Sequence, residues 1–328
     1  MLPGPVLLPK RRHFRRNSNT VLPRQKIIDF LISRARITNF AFFLLAFLFL
    51  ISVLFNIKHL VTTTPATTPQ SISSTIGRTK IISSFDHLIL VPCHAIWTGP
   101  SADLRGDENY WILEPYQRRS GRVEAFFQHI LKAAELSLQD EHSLVIFSGG
   151  QTRNTATMTE GESYLQLALQ ADVFRTSFSF ATPRATSENY ALDSYQNLLF
   201  GVARFKEYTG RYPAKITVVG YAMKQRRFEH LHRQAIRWPI NKFSYIGIDP
   251  VDGPEEGASA REGELQNGYL PYTDDLYGCH SQLLSKRLSR NPHMRFHSYF
   301  TSSPELSELL DFCPDNADAS FDKKLPWS

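Results

Sequence analysis

Three short polar stretches hold the side chains best suited to meet a ligand. In Ser148-Gly149-Gly150-Gln151-Thr152, two glycines would let backbone N–H groups approach an anion closely, and Thr152 adds a hydroxyl. A tight turn that simply needs glycine fits the same residues. No G-x-x-x-x-G-K-S/T pattern occurs, so this is not a P-loop, and it is not a dinucleotide fingerprint. The stretch Gly220 to Arg227 carries Lys224, Arg226 and Arg227, which could clamp a phosphate or a carboxylate or form a solvated face. Pro92 to Gly99 contains Cys93 and His94, a thiol beside a base. Neighbours in an extended segment point apart, which argues against a dyad, although His94 alone could serve in acid–base chemistry. Glu160, Glu162, Glu188 and His94 could converge on a metal ion, but no ligand spacing demands it, and no metal site is assigned.

The elements that must position these groups follow from hydrophobic periodicity. His87 to Val91, Ser143 to Phe147, Ile216 to Gly220 and Phe243 to Ile248 read as strands. Residues 121–139 read as a helix with Val123, Phe126, Phe127, Ile130, Leu131, Ala134 and Leu138 on one face, and further helices are expected over 160–171, 187–208 and 224–238. In the helix over 187–208, Ala191, Leu192, Tyr195, Leu198, Leu199, Val202 and Phe205 make the buried stripe. Glu188 projects into that stripe at the helix start, facing either a cavity or the helix dipole and backbone amides, while Asp193 and Asn197 fall on the opposite, solvated side. Residues 249–275 read as a long glycine-containing loop, followed by helices around 279–290 and 303–312. The alternation predicts an α/β fold, a mostly parallel sheet with helices on both faces, and the polar turns then collect on one sheet edge.

Outside this domain the chain changes character. Residues 37–57 carry no charge, and 21 residues of helix reach about 30 Å, the thickness of the hydrocarbon layer, so a single transmembrane helix with a bilayer partner is expected there. Nine Lys and Arg residues lie in the first 36 positions, leaving 28 basic against 30 acidic residues downstream. The net charge of +6 therefore belongs to a cytosolic tail, residues 1–36, and the folded part has no basic surplus for nucleic acid. The charge asymmetry predicts a type II orientation, with the C-terminal part in the lumen of the Golgi or ER. An Arg-rich, acid-poor start also suits a mitochondrial inner-membrane protein. Residues 58–79, rich in Ser, Thr and Pro, read as a stalk, and residues 80–328 as the domain. Cys279 and Cys313 could pair, leaving Cys93 free.

These blocks together resemble the DUF218 family, the YdcF/SanA-like group of bacterial envelope and fungal proteins. The resemblance is carried by D-x-x-I-L-V from Asp86, S-G-G at Ser148 to Gly150, T-E-G-E at Thr159 to Glu162, E-x-x-A-x-D-S-x-Q-N from Glu188 to Asn197 and V-V-G-x-x-x-K-x-R-R from Val218. It covers residues 86–248. It implies a Rossmann-like fold and a ligand cleft containing Ser148, Gly149, Gly150, Glu160, Glu188, Asp193 and Asn197, to which the strand-end argument adds Gln151, Thr152, Lys224, Arg227 and His94. Gln196 stands where the family often has an acid, and Lys224 where bacterial members often have histidine. The resemblance implies no settled reaction; S-adenosylmethionine is associated with one bacterial member and envelope integrity with others. The expectation is a cleft for a small polar or anionic metabolite, linked to glycan or wall synthesis, with a non-catalytic membrane-tethered interaction module and an S-adenosylmethionine or nucleotide binder as the alternatives.

Overall fold

The structure, a computed structural model, describes residues 22–61, 68–175, 184–251, 254–316 and 319–328. Two compact units make up the chain, dividing between Thr64 and Pro65. In the first unit, one helix runs from Leu22 to Val61. Its stretch Thr38–Lys58 has a mean hydropathy of 2.7, no part of it buried, and is long and apolar enough to cross a membrane.

The second unit is an α/β domain. Its strands are β1 (His87–Pro92), β2 (Ile96–Trp97), β3 (Trp111–Ile112), β4 (Ser143–Ser148), β5 (Ala185–Glu188), β6 (Lys215–Gly220) and β7 (Phe243–Gly247). Five form one parallel sheet in the order β5-β4-β1-β6-β7. The chain builds outward from β1 through β4 to β5, then returns to the other side of β1 for β6 and β7. The order reverses between β1 and β6, and crevices for ligands open at such reversals, beyond the carboxyl ends of the strands. The short pair β2–β3 is antiparallel and sits in the connection after β1, where periodicity showed no strand.

Every residue of β1 and β4 is buried, as a strand covered on both faces requires. Alternate residues feed two cores. Leu88, Leu90, Leu144, Ile146, Ile216 and Val218 pack with the helix Ser194–Thr209 and the C-terminal segments. Ile89, Val91, Val145, Phe147 and Val219 pack with the helix Arg122–Gln139 and with Tyr164 and Leu167 of the helix Glu160–Gln170. Each such side chain contributes about 1.5–3 kcal/mol of burial, so the two-sided sheet is the main source of stability.

Several expectations are corrected. Residues 187–208 are not one helix: Glu188 ends β5, and the helix starts at Ser194, capped by Asp193, whose carboxylate accepts from the Gln196 amide at 2.8 Å. The stretch 249–275 is largely helical, with Pro254–Glu264, a wide turn Leu265–Tyr269 and Leu270–Asp274. Packing overrides the glycines here: a Cβ on Gly268 would meet an Arg227 guanidinium nitrogen at 2.3 Å, so glycine is what lets that side chain pass. Leu138, expected in a buried stripe, is 43% exposed. Residues 68–79, read as stalk, bind the domain through Thr68, whose hydroxyl donates to the Thr301 carbonyl at 3.0 Å, and through Arg78, which donates to the carbonyls of Glu207 and Tyr208. Residues 1–21 of the tail and 62–67 of the stalk lie outside the described residues. Cys279 and Cys313 form a disulfide, and Cys93 is free and buried.

Candidate functional site

Two polar clusters occupy the carboxyl edge of the sheet. The first is at the ends of β4 and β5 and is built around Glu188, which is fully buried. Its carboxylate accepts from the Ser148 hydroxyl at 2.7 Å, the Tyr190 amide at 2.8 Å, the Tyr299 hydroxyl at 3.1 Å and the Ala191 amide at 3.3 Å. Burial pushes the carboxyl up, and these hydrogen bonds oppose that rise. Ser148 Oγ also lies 2.9 Å from Asn197 Oδ1, so the Ser148 hydroxyl proton is shared between the Glu188 carboxylate and the Asn197 amide oxygen, both acceptors. The arrangement is a closed network that fixes the loop between β5 and the following helix.

The glycine turn belongs to the same construction. The Gly149 amide donates to the Glu188 carbonyl at 3.0 Å and the Gly150 amide to the Ala191 carbonyl at 2.7 Å. Neither amide is available to an anion, contrary to the expectation from sequence. Glycine is required instead by close packing: a Cβ on Gly149 would lie 2.7 Å from Glu160 Cβ, and one on Gly150 2.8 Å from the Ala191 carbonyl oxygen. Thr152 donates to Glu160 at 2.5 Å, and Gln151 donates to the Ala156 carbonyl and accepts from Arg295. Asp193 and Asn197, expected on a solvated face, are each only 8% exposed. The helix starts later than its periodicity implied, and the C-terminal extension covers that side, with Arg287 donating to Asp193 at 2.5 Å. Cys93 is buried; desolvation, with Glu160 and Glu188 close by, pushes its thiol well above the ordinary range, which leaves it a poor nucleophile.

The second cluster lies where the strand order reverses. The His94 ring, two residues past β1, stacks on Tyr221, one residue past β6, with centroids 4.7 Å apart. Its Nδ1 is 3.4 Å from Lys224 Nζ. An ammonium can only donate, so Nδ1 is the acceptor and the neutral ring carries its proton on Nε2. That Nε2 is buried and has no partner. Burial, then the charges of Lys224, His129, Arg122 and Arg227, holds His94 well below the usual imidazole range. Half-buried Lys224 is pushed down to about 7, by desolvation first and then by Arg227, Arg290 and Arg122 against the opposing Glu264. Arg122 sits over the Tyr221 ring at 5.6 Å, and Arg227 lies 3.2 Å from Glu264. The buried Nε of Arg122 and the Tyr221 hydroxyl also lack hydrogen-bond partners among the described residues.

Of the residues chosen from sequence, Lys224, Arg227 and His94 thus meet in one crevice, while Ser148, Glu160, Glu188, Asp193 and Asn197 serve the structural network beside it. Arg122, Tyr221, Glu264 and Arg290 were missed. Tyr221 adjoins the basic stretch and Arg122 opens a helix already recognised, so both had a local signal; Arg290 arrives from 66 positions beyond Lys224 and had none. Glu160, Glu162, Glu188 and His94 do not gather around a common point. Among the described residues, the ligand atoms that do are those of Cys279, His280 and Cys313, and their sulfurs are already bonded to each other. A separate cavity of about 330 Å³ lies under the C-terminal extension, lined by Tyr190, Tyr195, Arg287, Arg295 and Phe312 among others, away from the crevice.

Sheet order and crevice together define a Rossmann-like α/β protein with a cationic cleft at the reversal of strand order. Over 293 residues the chain is 30% identical to the uncharacterized protein YOR238W of Saccharomyces cerevisiae, an alignment covering 74% of this chain and 97% of that protein. The chain belongs to the same family as YOR238W. No family model matches it, and no solved structure does.

Proposed function

We propose that this chain is a membrane-anchored member of the DUF218 group whose folded domain binds a small anionic metabolite at the β1–β6 crevice. The observation that carries the reading is the convergence of His94, Arg122 and Lys224 there, donors and cations without a carboxylate partner within 4 Å among the described residues. Buried donors left unpaired cost about 1–3 kcal/mol each, a cost that an anion would remove. S-adenosylmethionine suits this site through its carboxylate alone, since its sulfonium would meet like charge. A non-catalytic interaction module on the same fold is the competing reading, and it leaves this cluster without a role.

The Cys279–Cys313 disulfide supports placing the domain in an oxidising compartment, the lumen of the ER or Golgi, since such bridges are rare in the cytosol. With the basic tail in the cytosol this is a type II topology, and a role in glycan or wall synthesis fits that location; a mitochondrial inner-membrane location is the alternative. The test is a thermal-shift screen of the full chain in detergent against nucleotides, sugar phosphates, nucleotide sugars, carboxylic acids and S-adenosylmethionine. A ligand at one hundred times its dissociation constant stabilises by about 2.7 kcal/mol. A hit lost in Lys224→Met supports the reading; silence from a cooperatively unfolding protein sinks it.

A further inference from the structure

We infer that the anion held in the crevice is a phosphate group, seated on the N-terminus of the helix Arg122–Gln139 with His94, Arg122, Lys224 and Tyr221 as its side-chain donors. This rests on the anion-binding reading above and narrows it.

The helix supplies the first argument. It has 18 residues, and its N-cap is Gly121 in the left-handed region at φ 64°, with no side-chain cap. The Ala125 amide reaches the Gly121 carbonyl, which leaves the amides of Arg122, Val123 and Glu124 without a protein acceptor among the described residues. Three unsatisfied N–H groups and the positive end of the helix dipole favour an oxyanion, and glycine leaves the approach clear of a side chain.

The side chains supply the second, independent argument. His94 presents Nε2–H, Arg122 its Nε–H and Tyr221 its O–H, each buried and each without an acceptor of its own among the described residues, with Arg122 against the Tyr221 hydroxyl. Tyr221 is 2% exposed. Lys224 Nζ lies 5.3 Å from the centre of the Tyr221 ring and 3.4 Å from His94, and the Arg122 guanidinium lies 5.6 Å from the same ring, which groups all of them around Tyr221. These groups arrive from three directions: the end of β1, the start of the helix and the end of β6. A planar carboxylate offers two oxygens in one plane, whereas a phosphate offers three or more at tetrahedral angles, so it can accept from all three sides. Charge agrees. Arg227 is balanced by Glu264, but Arg122 and Lys224 have no ion-pair partner among the described residues, and Arg290, which donates to the Leu192 carbonyl at 3.0 Å, adds a further positive charge nearby, a surplus that suits a dianion better than a monoanion.

Isothermal titration calorimetry of the full chain in detergent at pH 7, with inorganic phosphate, glycerol phosphate, sulfate and succinate, tests this. Phosphate or its monoester should bind at least tenfold more tightly than succinate, and Lys224→Met and His94→Phe should each weaken binding tenfold or more. Lys242→Ala, at an exposed cation just before β7 on the opposite edge of the sheet, should leave binding unchanged. Binding of glycerol phosphate well above inorganic phosphate would identify a monoester as the ligand, and the reverse would identify the free ion. The Val123 and Glu124 amide resonances should shift with phosphate, a readout independent of variant folding. If succinate binds as tightly as either phosphate and is lost in Lys224→Met, the phosphate assignment fails and the anion reading stands. If none of the four binds to a cooperatively folded chain, both fail.

Discussion

His94 and Lys224 share one proton-rich space, and their charge states set how the crevice works with pH. The groups facing Lys224 are His94 after β1, Arg122 and His129 from the first crossover helix, Tyr221 and Arg227 from its own turn, Glu264 from the covering helix and Arg290 from the C-terminal extension. Its folded pKa, about 7, is below the ordinary 10.5, so between those values the unfolded chain holds more protons. Stability of the free protein therefore rises with pH from about 7 toward 10.5, and the burden is complete below 7. Anion binding runs the other way, since it favours the protonated amine. Affinity should peak near pH 7, declining above it as the amine loses its proton and below about pH 6 as the phosphate dianion protonates; calorimetry in buffers of different ionisation enthalpy measures the accompanying proton uptake, which Lys224→Met should reduce. Glu188 has a structural role. Glu188→Ala would leave Ser148, Tyr299 and two amides unpaired in a buried space and should cost about 3–5 kcal/mol in denaturant unfolding. Glu188→Gln, able to keep part of the network, should cost less.

At the scale of elements, the turn after β4 and the helix after β1 divide the labour. The glycine turn packs and the helix start binds. Gly150→Ala brings a methyl within 2.8 Å of the Ala191 carbonyl, a backbone atom that cannot swing aside, so it should destabilise the domain by about 1–3 kcal/mol without a specific loss of anion affinity. A folded Gly150→Ala protein that unfolds like wild type but no longer binds would reverse that assignment. The helical segment 254–274 covers the crevice through the Arg227–Glu264 ion pair and the cation–π contact of Arg226 on Tyr269, at 4.3 Å. Gly268→Val would displace the Arg227 side chain and should lower both stability and anion affinity, measurable in the same titration.

For the whole molecule, the C-terminal extension completes the domain. It provides Tyr299 to Glu188, Arg287 to Asp193 and Arg290 to the Leu192 carbonyl, and the disulfide ties it down across 34 positions. Closing a loop of that length restricts the unfolded chain by about 3–4 kcal/mol, so Cys279→Ser with Cys313→Ser should lower unfolding stability by up to that amount. An unchanged midpoint would mean the extension is held by packing alone. Protease added to sealed microsomes should leave the fragment after residue 61 intact and trim the tail; cleavage of the domain would reverse the proposed topology.

Local patterns settled a large part of this protein. Uncharged residues at 37–57 specify a helix able to cross a membrane, because length and polarity alone decide that. Period-two and period-3.6 burial specified the α/β class and placed Lys224, Arg227 and His94 at strand ends. Tertiary structure decided what those patterns could not. A wheel drawn through residues 187–208 hid the end of β5, because an edge strand of four residues carries too little periodicity to interrupt a helical reading. The fate of the Gly149 and Gly150 amides depended on carbonyls some 40 positions away, and the cationic character of the crevice on Arg122 and Lys224 meeting over the Tyr221 ring from distant parts of the chain. Proximity between distant residues is set by how the two cores pack, and no short window of sequence contains it.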